Sequence, residues 1–135
     1  MTSPFKGGPG AQPPASFPQA NKRSEPAYIA LRMEDLTVWM VERVAKMPRD
    51  HKFTSGDKLV EVCLEVTGLL VEASFVRDKL ALLAQANRAL TRARVLVRVA
   101  QRLKLLSADQ RTYFAKESDE IGKMLGGWTR SLRPR

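Results

Sequence analysis

The sequence has 135 residues, of which 44% are hydrophobic, and this length supports one domain with a sizeable core rather than two. Its 23 Lys and Arg residues against 14 Asp and Glu give a charge of +9, which favours a polyanionic partner such as RNA, DNA or an anionic membrane. The only cysteine, Cys63, cannot form an internal disulfide and is expected to be a buried thiol. Because no stretch has the pattern of a signal peptide or a membrane span, we expect a cytoplasmic protein.

Two regions differ in composition. Residues 1–27 contain six of the eight prolines and are predicted to form a disordered, mildly basic tail. Residues 28–132 have apolar residues at helical spacing and form the predicted domain. Its first helix is predicted to begin at Tyr28 and to stop at Pro48. The second is predicted to begin near Thr54, whose hydroxyl is expected to cap it, and to end at a break in residues 74–78.

The third and fourth helices follow the same pattern. The third, through residues 82–103, is the longest, and the fourth begins after a capping box formed by Ser107 and Gln110. Gly126 and Gly127 are expected to end the fourth helix. Since short connections make neighbouring helices run antiparallel, the predicted fold is an all-α, up-down-up-down four-helix bundle.

Most of the excess positive charge lies on the third helix, where residues 79–106 contain no acidic side chain. At about 100° per residue, five arginines fall on one arc opposite the apolar face. Repeated like charges four residues apart are mildly destabilising, so the arc is expected to bind either a polyanion or an acidic surface of another subunit, rather than being only a solvated face. The positions predicted to bind nucleic acid or a protein partner are Arg88, Arg92, Arg94, Arg98, Arg102 and Lys104.

A second apolar stripe on the second helix lies at least about 100° from that helix's core face. A bundle core needs only one stripe per helix, so the additional apolar positions predict a homo-oligomer. Glu61, Glu65 and Glu72, beside this stripe, are candidates to pair with third-helix arginines of another protomer. The predicted interface residues are Val60, Leu64, Val71, Phe75, Val95 and Val99.

Patterns typical of enzymes are missing from the sequence. His51 is the only histidine, and it has no cysteine or histidine cluster around it for a zinc site or a nucleophile pair. No Gly-Lys-Ser/Thr motif closes a phosphate-binding loop. A non-catalytic protein without a metal or cofactor is therefore expected. Membrane binding by the third helix is disfavoured because its apolar face has no Trp or Phe anchor.

Two segments of the predicted domain have distinctive sequences, MPRDHKFTSGD at residues 47–57 and DEIGKMLGGW at residues 119–128. The first resembles the loop motif, and the second the C-terminal motif, of the accessory variability determinant (Avd) proteins of diversity-generating retroelements. Residues 73–83, 86–88 and 105–107 add to the resemblance, although Ala81 stands where the family often has proline. The resemblance covers about residues 36–132 and leaves out the N-terminal tail.

Membership of this family would imply a four-helix protomer in a pentameric barrel that binds the retroelement's reverse transcriptase and template RNA during mutagenic retrohoming. The protomer would catalyse nothing, and the basic positions of the third helix would face RNA or the reverse transcriptase. The alternative is a homo-oligomeric scaffold of the related four-helix proteins encoded in ribosomal RNA intervening sequences, with no reverse transcriptase partner. The resemblance also implies structural roles for His51, Phe53, Gly56, Gly126, Gly127 and Trp128.

Overall fold

The computed structural model describes residues 26–133 and contains four long helices. They are α1 (Pro26–Val44), α2 (Asp57–Ala73), α3 (Leu80–Arg102) and α4 (Ala108–Leu132), and no strand occurs among the described residues. The predicted all-α, four-helix protomer is confirmed. The disordered tail predicted for residues 1–27 lies outside the described residues, except that Pro26 and Ala27 already belong to α1. Proline is tolerated there because the first turn of a helix needs no backbone donor.

The helices form a bundle in which each packs against its chain neighbours and α4 closes the ring against α1. Arg32, early in α1, contacts Glu117 in the middle of α4. Trp39, later in α1, stacks on Tyr113, early in α4, with ring centroids 5.0 Å apart. The two helices are therefore antiparallel, and α1 lies diagonally across the bundle from α3.

The core consists of the apolar faces that the helical spacing predicts. Phe114, Met33, Leu70 and Leu90 are among its fully buried side chains. Cys63 is buried as predicted, and burial raises the pKa of its thiol to about 12. On α3 the buried positions include several alanines, which let the neighbouring helices approach closely.

The connection between α1 and α2 differs from the prediction. Here α1 ends at Val44, before Pro48, and a single α-helical turn (Arg49–His51) continues through a π-helical turn (Lys52–Gly56) into α2. The predicted cap by Thr54 is wrong, because its hydroxyl donates backwards to the carbonyl of Asp50, 3.3 Å away. A Cβ on buried Gly56 would lie 2.7 Å from Val44 Cγ1, so glycine permits the close packing of this turn on α1.

The ends of α3 and α4 are set by different means. The N–H groups of Lys104 and Leu105 donate to the carbonyls of Gln101 and Ala100, which closes α3 with Lys104 at a φ of 64°. The predicted capping box of Ser107 and Gln110 is confirmed at the start of α4. The stop predicted at Gly126 and Gly127 is wrong. The helix continues to Leu132 because Trp128, just beyond the two glycines, is buried and holds the last turns against the bundle.

The α1–α4 seam contains two ion pairs made by Arg32. The Arg32 guanidinium donates to Glu117 Oε1 at 3.0 Å and to Glu120 Oε1 at 3.2 Å. Asp35, half-buried on the same seam, has no ion-pair partner among residues 26–133. Burial, together with the negative charge of Glu34, raises the pKa of the Asp35 carboxyl to about 6.

This raised pKa makes stability depend on pH. Because the folded protein holds the Asp35 proton more tightly than the unfolded chain, the stabilising effect is complete below about pH 4 and is lost as the pH rises through about 6. Asp35→Asn is therefore expected to raise the free energy of unfolding at pH 7 by about 1 kcal/mol, after allowing for solvent screening at this half-exposed position. Urea denaturation at pH 4 and pH 7 measures the free energy of unfolding of both proteins. The control is Glu42→Gln, on the exposed side of α1, which should leave the pH dependence of stability unchanged. If Asp35→Asn also left it unchanged, Asp35 would not be its source.

Candidate nucleic-acid interface

The side of α3 opposite the core carries the predicted arginines, and the structure divides them into two groups. Arg88, Arg92, Arg98 and Arg102 are exposed, whereas Arg94 is half-buried. Lys104 is exposed just beyond the end of the helix, at the position with positive φ. The predicted arc therefore exists, but not all of its members are available to a partner.

Arg92 is already neutralised within the protomer. Its Nη2 donates to Glu65 Oε1 on α2 at 2.6 Å, and both side chains remain about half exposed. Glu65 had been a candidate to pair with an arginine of another protomer, and the structure instead pairs it within the same chain. Glu61 likewise has a partner on its own helix, Lys58, at 3.9 Å. Two of the three glutamates on this side of α2 are thus already paired with cations of the same protomer.

Arg94 joins α3 to α4. Its Nη2 donates to the Ser118 carbonyl oxygen at 2.8 Å, and its Nε donates to Ser118 Oγ at 3.2 Å. A Cβ at Gly122 would lie 2.9 Å from the Arg94 Nη2, so glycine leaves the space that the guanidinium occupies. Arg94 therefore positions the two helices, and its donors to Ser118 are not available for a phosphate.

Beside Arg94, a groove of about 500 Å³ runs between α3 and α4. We call it the basic groove, because it is lined by Arg98 of α3 and by Arg111 and Lys116 of α4. One carboxylate, Asp119, also lines it, but its Oδ2 lies 3.4 Å from the ammonium group of Lys123. Phe114 and Val97 form its apolar floor.

Besides Lys104, which lies beyond the end of α3, five exposed cations of α3 and α4 on this side of the bundle have no carboxylate within 4.0 Å among residues 26–133. We call them the basic face: Arg88, Arg98 and Arg102 of α3 with Arg111 and Lys116 of α4. Sequence reasoning missed Arg111 and Lys116 because each lies on a helix whose charges are mixed. The signal was the short connection after α3, which brings the start of α4 beside the end of α3.

The residues predicted to form an oligomer interface are mostly exposed. Val60 is an exception, because it is half-buried and packs against the core. Two exposed valines on α1, Val38 and Val41, were not predicted. Gly68, also exposed, lies on α2 with open space around its Cβ position. The predicted residues that are exposed are Leu64, Val71, Phe75, Val95 and Val99.

No group of three or more His, Cys, Asp or Glu side chains is arranged to hold a metal ion within residues 26–133. No helix in the same range is both long enough and apolar enough to cross a membrane.

The family comparison agrees with the resemblance in the sequence. A family model described as bAvd-like matches residues 28–132. No curated protein and no solved structure matches the chain. The matched range includes nearly all of the four-helix bundle, and it confirms the predicted resemblance to an Avd-like protein. Because the match extends over well more than half of the sequence, the chain belongs to the bAvd-like family of accessory, non-catalytic proteins.

Proposed function

We propose that this protein is a cytoplasmic accessory subunit of a diversity-generating retroelement that binds nucleic acid, the template RNA above all, through its basic face. The observation that carries the proposal is the set of five exposed cations that have no carboxylate partner within residues 26–133, on two adjacent helices of a protein in the bAvd-like family. The reverse transcriptase of the same retroelement is the proposed protein partner, and family membership is what supports it.

The chemistry of the basic face fits phosphate rather than base recognition. Arginine presents a fixed fork of donors that matches the oxygens of a phosphate, and lysine adds a mobile point charge. Each cation that neutralises a phosphate releases a counterion, so association is driven largely by salt release. The binding we propose is therefore strong at low salt and depends little on the base sequence of the nucleic acid.

Assembly is the second part of the proposal. We propose a homo-oligomer, with the pentamer that the family resemblance implies, in which the exposed apolar side chains of α2 contact a neighbouring protomer. An exposed apolar face on a small basic protein is otherwise a liability in water. A ring of protomers would bring several basic faces to one RNA and would raise its affinity through multivalency.

The salt dependence of binding tests the nucleic-acid proposal. If about four cations engage phosphates, raising the salt from about 50 to 200 mM is expected to weaken binding of a structured RNA by ~100-fold. Fluorescence anisotropy of a labelled RNA gives the affinity, and light scattering of the same samples gives the mass of the complex. Binding that is insensitive to salt, or no binding at the lower salt, would overturn the proposal.

A second candidate function is a homo-oligomeric protein-interaction scaffold of the intervening-sequence type, with no reverse transcriptase partner and with the arginines of α3 serving subunit pairing. The exposure of Leu64, Val71 and Phe75 favours assembly as such. This candidate predicts an oligomer that ignores RNA at every salt concentration, so the same light-scattering measurement separates the two functions.

A further inference from the structure

We infer that the basic groove takes the backbone of double-stranded nucleic acid rather than an unpaired strand. This inference rests on the proposed function and narrows the class of its ligand. It depends on three features of the α3–α4 face, which are the placement of the cations, the location of the aromatic side chains and the rigidity of the two helices.

The cations form two rows rather than one. Arg98 of α3 and Arg111 and Lys116 of α4 line the groove from its two sides, and Arg102 lies about one turn beyond Arg98 on α3. Packed helices are separated by roughly 8–10 Å between axes, so the two rows are held apart at a similar distance. Along α3, the cations from Arg88 to Arg102 extend over about 21 Å at a rise of about 1.5 Å per residue. A double helix presents two rows of phosphates across a groove, and a single strand presents only one.

Side chains that stack on unpaired bases are missing from the lining of the basic groove. Proteins that bind single strands combine cations with aromatic side chains, and each stacked base contributes about 1–3 kcal/mol. Among residues 26–133, the exposed aromatics are Phe53, before α2, and Phe75, after it. Phe53 lies in a separate pocket between α2 and α3, with Leu96 and Val99. Phe114 lies under the basic groove but is fully buried, so it offers no ring face to a base.

The spacing between the two rows is fixed by contacts within the protomer. Arg94 bonds to both the hydroxyl and the carbonyl of Ser118, and Gly122 lets its guanidinium lie against α4. A rigid pair of rows suits a ligand whose own phosphate spacing is fixed. Double-stranded RNA is recognised in this way, by shape and by its backbone, with little dependence on sequence.

The test compares two ligands on the full-length protein. One is a blunt RNA duplex of about 20 base pairs, and the other is either of its strands, chosen so that it cannot pair with itself. Anisotropy at moderate salt is expected to give an affinity for the duplex about tenfold higher than for the strand. Arg98→Glu should reduce duplex affinity by at least about tenfold and should lower the duplex-to-strand ratio.

The matched control is Arg77→Glu, which makes the same charge change in the exposed turn between α2 and α3. That turn lies at the opposite end of the bundle, about 27 Å along α3 from Arg98. We expect the control to keep the duplex-to-strand ratio, which separates a defined site from general charge attraction. Circular dichroism confirms that both variants are folded.

Each alternative result has a distinct meaning. Equal or tighter binding of the single strand would overturn the inference and leave the proposed function standing. Equal effects of Arg98→Glu and Arg77→Glu on the ratio would overturn the assignment to the basic groove. Binding of neither ligand would overturn the inference together with the proposed function.

Discussion

Replacing Phe114 with alanine is expected to lower the free energy of unfolding by about 3–5 kcal/mol. The Phe114 side chain is 0% exposed, and its ring centroid lies 6.4 Å from that of Trp39 on α1. It also lies beneath the basic groove, so its removal leaves a cavity where α1, α3 and α4 meet. A loss of this size is a large fraction of the stability of an ordinary domain, about 5–15 kcal/mol. Urea denaturation followed by circular dichroism measures it.

The same substitution at Phe75 is the matched control. Phe75 is 84% exposed, just after the end of α2, so Phe75→Ala should change the free energy of unfolding of the protomer by no more than about 0.5 kcal/mol. A loss no larger than about 0.5 kcal/mol in Phe114→Ala would contradict the packing described for Phe114. A larger loss in Phe75→Ala would instead mean that Phe75 is buried in the proposed assembly, which the mass of the sample reports independently.

The helices could be predicted from the sequence where a local pattern decides the structure. Apolar spacing of three and four residues marks the core faces, and the hydroxyl of Ser107 needs only its own neighbours to form a cap. The wrong predictions of a cap at Thr54 and of a helix end at Gly126 and Gly127 arise where packing overrides a local signal. Threonine is a residue type that often caps a helix. The chain here stays helical through the π-helical turn, so the Thr54 hydroxyl donates to the carbonyl of Asp50, four residues earlier. Gly127 weakens α4, and the burial of Trp128 compensates for it.

The candidate site was only partly predictable. Helical geometry placed the arginines of α3 on one arc, because the angle between residues depends on the helix alone. Which arginines remain available to a ligand depends on contacts with adjacent helices, and the spacing of residues in the sequence does not reveal those contacts. Glu65 neutralises Arg92, and Ser118 holds Arg94. Arg111 joins the site only through the register of α3 against α4, which is set by packing.

Leu64→Glu is expected to convert the assembled protein to a monomer that remains fully helical. Leu64 is 54% exposed on α2, with exposed Val71 two turns further along the helix. On α1, Val38 and Val41 are also exposed. A carboxylate in place of Leu64 would be desolvated in the interface without a partner, at a cost of several kcal/mol for each contact. Light scattering of the purified variant gives the mass directly.

Leu132→Glu is the matched control, since it makes the same change at an exposed leucine at the end of α4. It should leave the mass of the assembly unchanged. An unchanged mass in Leu64→Glu, or a wild-type protein that is already monomeric, would contradict the proposed interface.

The monomeric variant also separates assembly from ligand binding. Leu64 lies on α2, whereas the basic groove lies between α3 and α4 and is lined by no residue of α2. Leu64→Glu should therefore keep the affinity of a single groove for a short duplex while losing the gain from multivalency on a long RNA. Equal losses for short and long ligands would show that the groove itself depends on a neighbouring protomer.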